Sequence, residues 1–349
     1  MSAAAESIDP RHGIAEPTSS TPARRPGSIR RTSTIDSSYP EGIGTVLAQS
    51  GRARDVFTGR TGAVELVAET TMTIRTEYTD GPVVAEIVID PPAPSVDALV
   101  GVRASTGFRR KVDDSVDPVD VPRGSLTYLL LDDIPGATLV SGFAVVVAIS
   151  RDRAAAPRVE QLRSSKQPVL QVPDLCAGWQ TGGTMLSNLD DRGRPPVIMG
   201  PRAPSVDDPS DEWAWHPMPV LPDDSMRRRR RIDVWLDDDG SVHVDGFFRD
   251  SHMAPAGVET SVHEYTVEAT VDPDTMIVLS CEAVPHVLPW TECPQAAASA
   301  RRLAGMRVSS LRPDVRAQFV GPTTCTHLND VLRGLEDVEW LVQELAARV

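Results

Sequence analysis

A short segment near the C-terminus, Cys325-Thr326-His327-Leu328-Asn329-Asp330, places a thiol, an imidazole and a carboxylate close together in the chain. We expect a loop to turn into the last helix at this point. A thiol at a helix N-terminus has a lowered pKa, so Cys325 is a candidate nucleophile or metal ligand, with His327 and Asp330 beside it. A structural interpretation is also open, in which Thr326 caps the helix, Cys325 packs beneath it and Asp330 favours the positive end of the helix dipole.

Further potential metal ligands precede this segment, namely His252, His263 and Cys293. Together with Cys325 and His327 they are imidazoles and thiols, which favour zinc or iron. Their spacing is long and contains no Cys-x-x-Cys or His-Glu-x-x-His motif, so their convergence depends on the fold. If they meet, Glu264 or Asp330 could deprotonate a metal-bound water.

Each of these donors has a structural alternative. His263 lies in an alternating strand, where a histidine is more often a hydrogen-bonded packing residue than a ligand. Cys281 on the next strand is most simply a core residue, and we leave it out of the predicted site. His252 follows the end of a strand and suits a ligand, an acid/base group or a surface residue equally. Cys293 opens an alanine-rich helix, as Cys325 opens the last one.

Charge and composition narrow the classes of function. The chain has 349 residues, 40% of them hydrophobic, and a net charge of -14. This length fits one large or two modest domains, and so acidic a surface disfavours nucleic-acid partners. The arginine run Arg227–Arg231 could bind an anion, but we favour a solvated or salt-bridged strand edge that pairs with the acidic runs 223–224 and 237–239.

The cellular compartment of the protein is predicted from its apolar segments. Residues 1–40 lack the apolar core of a secretory signal, so we expect a cytoplasmic protein. The apolar run 139–149 is shorter than the roughly 20 residues that span a bilayer, so we interpret it as a buried strand and expect no membrane association. The four cysteines are then expected to be thiols or metal ligands rather than disulfides.

The order of the elements predicts an α+β fold, with antiparallel β-sheets in two blocks followed by C-terminal helices. Alternating residues and turn-forming links predict hairpins from 64–78 with 83–90, 232–236 with 241–248, and 261–271 with 276–283. We expect strands at 126–131 and 139–149, joined by a turn at 132–136. We also expect a short helix at 95–102 capped by Ser95, and helices at 294–303, 310–319 and 327–347. The predicted regions are a disordered tail (1–28), a β-rich block (29–150), a long Pro-rich connection (151–225) and an α+β block (226–349).

Several motifs together resemble a bacterial family of unknown function, DUF2889. They are Arg30-Arg31-Thr32-Ser33-Thr34, Gly51-Arg52-Ala53-Arg54-Asp55, Phe248-Arg249-Asp250-Ser251-His252, Val262-His263-Glu264-Tyr265, Leu288-Pro289-Trp290-Thr291-Glu292-Cys293-Pro294 and Cys325-Thr326-His327-Leu328-Asn329-Asp330. The resemblance covers nearly everything after the tail. It implies a set of expected positions but no activity, cofactor or mechanism.

Three functions remain open. The first is an enzyme, a hydrolase or lyase on a small organic substrate, with a Cys/His metal site or a Cys/His nucleophilic pair. The second is a non-catalytic small-molecule binder whose pocket is lined by Trp179, Trp213, Trp215 and Trp290. The third is an interaction protein in which the cysteines and histidines only pack. No phosphate-binding glycine loop or Gly-x-Ser-x-Gly motif is present, so nucleotide binding by those loops and serine hydrolase chemistry have no support.

Overall fold

The structure, a computed structural model, describes residues 6–7, 15–78, 81–151, 173–192, 198–255 and 257–348. Parts of the predicted tail (1–5, 8–14) and of the predicted connection (152–172, 193–197) lie outside the described residues. The strands are β1 (Glu6–Ser7), β2 (Ser28–Ser38), β3 (Val46–Thr58), β4 (Val64–Tyr78), β5 (Pro82–Asp90), β6 (Ile198–Met199), β7 (Ser225–Leu236), β8 (Val242–Ala254), β9 (Val258–Val271) and β10 (Val278–Val287).

The α-helices are fewer than the strands and lie mostly in the second half of the chain. They are α1 (Phe108–Ser115), α2 (Leu126–Arg151), α3 (Thr184–Arg192), α4 (Leu311–Gln318), α5 (Thr326–Gly334) and α6 (Asp337–Ala346). Short 3₁₀ helices span Pro94–Leu99, Ala177–Trp179, Cys293–Leu303 and Val308–Ser310.

One 8-stranded antiparallel sheet, in the order β10-β9-β8-β7-β2-β3-β4-β5, organises the molecule. The predicted hairpins β4–β5, β7–β8 and β9–β10 are present. The predicted α+β class is thus confirmed. The central pairing is β2 with β7, which aligns Ile29 with Val234 and Asp36 with Arg227. Strands from both predicted blocks therefore lie in the same sheet.

The prediction of two strands at 126–131 and 139–149 was wrong, because these residues form one helix, α2. The turn-like residues between them lie inside the helix, where Asp132 accepts from Arg333 and Asp133 accepts from Arg230. Pro135 removes only one backbone donor, and packing against β2, β3, β4 and β7 outweighs the β propensity of the apolar residues. Among the described helices, α2 is the one long and apolar enough to cross a membrane, although most of that apolar stretch is buried in the molecule.

The last predicted helix is also interrupted. Residues 327–347 form α5 and α6, with a tight turn at Leu335 and Glu336 between them. The short helix near Ser95 is a 3₁₀ helix that starts at Pro94 and has Ala93 at its N-cap, so Ser95 does not cap it. The predicted helix at 310–319 is present as α4.

The two faces of the sheet are covered differently. On the first, which we call the helical face, α5, α6 and the 3₁₀ helix Cys293–Leu303 bury a continuous apolar core with residues such as Val234, Phe248 and Tyr265. On the second, the loop face, residues 15–24 and 201–221 lie over the strands without regular secondary structure. Because side chains alternate along a strand, the side chains of neighbouring residues point to opposite faces of the sheet.

The prediction that Arg227–Arg231 form a solvated or salt-bridged strand edge was wrong about the edge, since all five side chains are buried in the central strand β7, where each forms a salt bridge. Arg228 and Arg230 point to the helical face, where they bind Asp250 and Asp133. Arg227 and Arg229 point to the loop face, where they bind Asp36 and Glu259. The acidic partners are brought by other strands and by α2, and not by the runs 223–224 and 237–239 as predicted.

Candidate functional site

Three side chains with metal-ligating atoms converge on the helical face of the sheet. Asp250 of β8 and His263 of β9 are directly paired neighbours in the sheet, and His327 lies in the first turn of α5 above them. Asp250 Oδ2 lies 3.4 Å from His263 Nδ1 and 4.0 Å from His327 Nε2. The ligand atoms of all three residues lie within 4.8 Å of one another, and this is the one such group of three or more among the described residues.

The two imidazole rings are stacked, with 3.5 Å between their centroids and 19° between their planes. His263 Nδ1 is buried and lacks a hydrogen-bond partner, because its approach to Asp250 does not have hydrogen-bond geometry. A buried polar atom without a partner costs free energy, and a functional site is one of the settings that explain it. The His327 side chain keeps 17% exposure, whereas the Asp250 side chain is fully buried.

Asp250 is held rigidly by Arg228, whose Nε and Nη2 donate to Oδ1 at 2.8 Å and to Oδ2 at 3.1 Å. Burial acts to raise the pKa of Asp250, but the charge of Arg228 and the neighbouring His263 outweigh it and hold this pKa well below its usual range. Asp250 is therefore a carboxylate at neutral pH.

His327 is a neutral imidazole at neutral pH. Burial, together with the neighbouring His263, lowers the pKa of His327 to about 3, while Asp250 opposes the shift. A neutral ring has a free nitrogen lone pair, which is the form that binds a metal ion.

Cys325 lies beside this group, at the N-cap of α5, with its Sγ 4.0 Å from His327 Nδ1. The expectation of a lowered thiol pKa was wrong. Cys325 is only 4% exposed, and burial raises its pKa although hydrogen bonds from Tyr265 and from the backbone of the first helical turn oppose this. The thiol is therefore protonated at neutral pH.

Cys293 and Cys176 are neighbours of Cys325 in the same apolar core. Burial also raises the pKa of Cys293, and it raises the pKa of Cys176 to about 11. Gly178 provides the space, since a Cβ there would come within 2.8 Å of Cys293 Sγ. The structure thus brings Cys293 near Cys325 as predicted, but within the described residues the thiols do not join a compact group of metal-ligating atoms.

Asp330 lies next to the site and forms ion pairs with three arginines. Its Oδ1 accepts from Arg109 and Arg333, and its Oδ2 accepts from Arg228 at 2.9 Å. Burial would raise the pKa of Asp330, yet the charges of these arginines hold it far below its usual range. Asp330 positions Arg228 and hence Asp250, and it holds no proton to exchange.

Glu264 and His252 lie away from this group. Glu264 follows His263 in β9 and so points to the loop face, where it accepts from Arg249 Nε at 2.7 Å. His252 lies at the end of β8 against Phe143 of α2, with Asp224 3.9 Å from its Nε2. The structure therefore brings together His263, His327 and Cys325 of the predicted set, and it places Glu264 and His252 elsewhere.

The tryptophans predicted to line one pocket are also divided. Trp215 is buried under the loop face against Phe247, and Trp213 lies over Arg54 on the same side. Trp290 instead lies next to Gly178 and Cys293 in the helical-face core.

Asp250 was missed in the sequence although it stands in the motif Phe248-Arg249-Asp250-Ser251-His252. Counting residues outward from the pair Ala254–Val258 would have placed Val262 opposite Asp250, and it is the register shift between Asp250 and Ser251 that aligns Asp250 with His263 on the same face. Gly136 was read as a turn residue, whereas a Cβ there would collide with Arg228 and Asp330. No local pattern reveals that close approach.

Comparison with known families confirms the resemblance to DUF2889 for the second half of the sheet and the helices that follow it, and it does not test the motifs at 30–34 and 51–55. The model of DUF2889, described as a protein of unknown function, matches residues 226–341. That range runs from β7 to α6 and contains Asp250, His263, His327 and Cys325. No curated protein and no solved structure matches the chain.

Proposed function

We propose that this chain, whose residues 226–341 are a DUF2889 region, is a metal-dependent enzyme, a hydrolase or lyase that acts on a small organic substrate. Asp250, His263 and His327 are the proposed ligands of one zinc or iron ion. The observation that carries the proposal is that the ligand atoms of these three residues lie within 4.8 Å of one another. One of these atoms, His263 Nδ1, is buried without a hydrogen-bond partner.

The spacing of the ligand atoms suits one ion. Atoms that each lie about 2.1 Å from a tetrahedral ion are about 3.4 Å apart. The two separations from Asp250 Oδ2, 3.4 and 4.0 Å, are close to this value. Because the two imidazole rings are stacked, one ring has to turn before both nitrogen lone pairs point at the same ion. Two imidazoles and one carboxylate are a common set for zinc and for non-haem iron, and they leave coordination positions open.

A metal ion in such a site would polarise a substrate oxygen or make a bound water acidic. The residues of this chain have distinct roles around it. Arg228 fixes both oxygens of Asp250, and Asp330 and Asp133 hold Arg228 in place. Such outer contacts fix the orientation of metal ligands.

Cys325 fits the outer shell better than the ligand set. Its Sγ faces Nδ1 of His327, while Nε2 is the atom near Asp250. A thiol in this position holds the imidazole ring in the orientation that presents Nε2 to the metal. The proposal thus moves Cys325 and Cys293 from the predicted ligands to supporting positions.

The test is elemental analysis of the purified full-length protein. We expect about one zinc or iron ion per chain, retained in Cys325→Ser with an affinity about 10- to 100-fold lower, and lost in His263→Ala, His327→Ala and Asp250→Asn. His243→Ala is a matched control, because His243 also lies on β8 next to a carboxylate but is partly exposed and remote from the group. Metal that is absent from the wild type, or that stays in all three ligand variants, would overturn the proposal.

A second candidate, a thiol nucleophile, is favoured by one observation. Cys325, His327 and Asp250 form a line in which Sγ faces Nδ1 and Nε2 faces Oδ2, each at 4.0 Å. A thiol-reactive probe separates the two proposals. The metal site predicts that Cys325 reacts no faster than the buried Cys281, whose pKa burial raises to about 12, whereas the nucleophile predicts selective labelling of Cys325.

Turnover needs its own measurement. Metal-loaded wild type and His327→Ala are compared on a panel of small esters, amides and hydroxy acids. Activity present only in the wild type supports the enzyme, and tight metal binding without any turnover leaves a non-catalytic binding protein.

A further inference from the structure

On the loop face, side chains of the sheet bind the backbone of a segment of the same chain, as a peptide-binding protein binds a peptide. Residues 15–24, which we call the strap, run over β8 and β9. Thr18 N donates to Glu264 Oε1 at 2.6 Å, and Arg249 Nη2 donates to Thr18 O at 2.5 Å. Arg30 Nη2 donates to Pro22 O at 2.8 Å. These contacts recognise backbone atoms, so they tolerate many sequences.

The side chains of the strap add little to its attachment. Every residue from 15 to 24 is partly or fully exposed, and the apolar ones are only alanine and proline. Two polar anchors remain: Thr21 Oγ1, which donates to Val206 O and accepts from Trp215 Nε1, and Arg24, which pairs with Asp211. With no apolar side chain buried, the strap lacks the main source of binding free energy.

The strap also leaves space beneath it. A cavity of about 150 Å³ lies between Thr18, Ser20, Thr21 and Pro22 on one side and the strands on the other. Its strand side includes Phe247, Thr266 and the carboxylates of Asp245 and Glu268. Arg231 is the basic residue of the lining, and its ion pairs with Asp233 and Asp245 neutralise Asp245, so Glu268 is the carboxylate of the lining that can meet a cation. The space therefore suits a longer, positively charged side chain in place of Ser20.

We propose that this groove binds an extended peptide segment of a partner protein, with a lysine or arginine at the position of Ser20, and that the strap occupies the groove when the partner is absent. The guanidinium groups of Arg249 and Arg30 and the carboxylate of Glu264 bind the backbone of the partner as they bind the backbone of the strap. The basic side chain fills the cavity between Phe247 and Glu268. The groove lies on the face opposite Asp250, His263 and His327, so the inference does not depend on the metal site.

The test uses the full-length chain and two labelled peptides, the sequence of residues 15–25 and the same sequence with Ser20→Lys. We expect the lysine peptide to bind about tenfold more tightly in fluorescence anisotropy, which is the effect of one charge-assisted contact. Thr18→Pro in the full chain removes the N–H that Glu264 accepts and weakens the competing strap. Both peptides should then bind about tenfold more tightly than to the wild type, whereas the exposed control Ser19→Ala should change neither.

Glu268→Gln checks the chemistry of the cavity. This residue is exposed on β9, so the change is compatible with folding. We expect it to reduce the preference for the lysine peptide while leaving the binding of the parent peptide unchanged. The inference is overturned if neither peptide binds the Thr18→Pro chain, or if the lysine peptide binds no more tightly than the parent.

Discussion

The helical face and the loop face of the sheet bury similar lengths of strand with different chemistry. On the helical face, leucines, valines and aromatic residues from α5, α6 and the strands form a large apolar core. On the loop face, the apolar cluster is small, and guanidinium groups hold the cover by donating to backbone carbonyls of Pro22, Pro204 and Trp215.

The difference shows how a sheet can be covered without helices. An irregular segment has carbonyl groups that no helix or strand satisfies, and each must find a donor when buried. Arginine carries five donors in a fixed fork, so one side chain can bind a carboxylate and a carbonyl together. Arg30, Arg227 and Arg249 each do both. In our two proposals, the helical face provides rigidity for the metal site, and the loop face holds a segment that another peptide can replace.

The largest effect expected is on the helical face. Arg228→Met leaves Asp250 and Asp330 buried without their shared partner, so the free energy of unfolding should fall by about 3–5 kcal/mol in urea denaturation. Arg301→Met is the matched control, because the Arg301–Glu282 pair is exposed and its loss should leave the free energy of unfolding nearly unchanged. Equal effects of the two changes would contradict the ionic role given to Arg228.

A smaller, pH-dependent effect is expected on the loop face. His216 lies between the hydroxyls of Thr32 and Thr34 at 2.9 and 2.8 Å. Burial, together with the charges of Arg54 and Arg227, lowers the pKa of His216 to about 3. The unfolded chain gains this proton near pH 6.5 and the folded chain only near pH 3. The stabilisation is therefore complete above pH 6.5 and is lost as the pH falls from there.

His216→Gln should remove this component while keeping a donor and an acceptor between the two threonines. The wild type should lose about 2 kcal/mol more stability than the variant between pH 7 and pH 5. The measurement is urea denaturation of both proteins at the two pH values. Parallel losses would show that His216 is not held neutral by the fold.

The smallest effect is expected at the strap. Thr21→Val removes the hydroxyl that joins Trp215 Nε1 to Val206 O, in a partly exposed place. We expect the free energy of unfolding to fall by only about 0.5–1.5 kcal/mol, with a change in tryptophan fluorescence. A loss as large as that of Arg228→Met would contradict the weak attachment of the strap.

Local patterns predicted the hairpins, because turn residues and alternating side chains are sufficient to define them. They named Cys325, His327 and His263 as candidates, but whether these residues meet depended on the fold. They failed for α2, since Asp132 and Asp133 have the character of turn residues but are ion-pair partners of arginines far away in the chain. They failed for Arg227–Arg231 for the same reason, as a buried charge is defined by partners that only the fold supplies.

The family resemblance identified motif residues in the sequence, but it implied no chemical role for any of them. Its motif around Asp250 was recognised, yet the role of this carboxylate follows only from its pairing with His263 across β8 and β9. The prediction of a cytoplasmic protein that binds neither nucleic acid nor membranes stays a prediction, as do the boundaries of the predicted regions.

The most direct test of the metal site is a calorimetric titration of the chelator-treated protein with Zn²⁺ and, without oxygen, with Fe²⁺. The wild type should bind one ion per chain, and the double variant His263→Ala/His327→Ala should bind none while keeping the circular dichroism of the folded protein. Equal binding by the two proteins, or no binding by a folded wild type, would contradict the site formed by Asp250, His263 and His327.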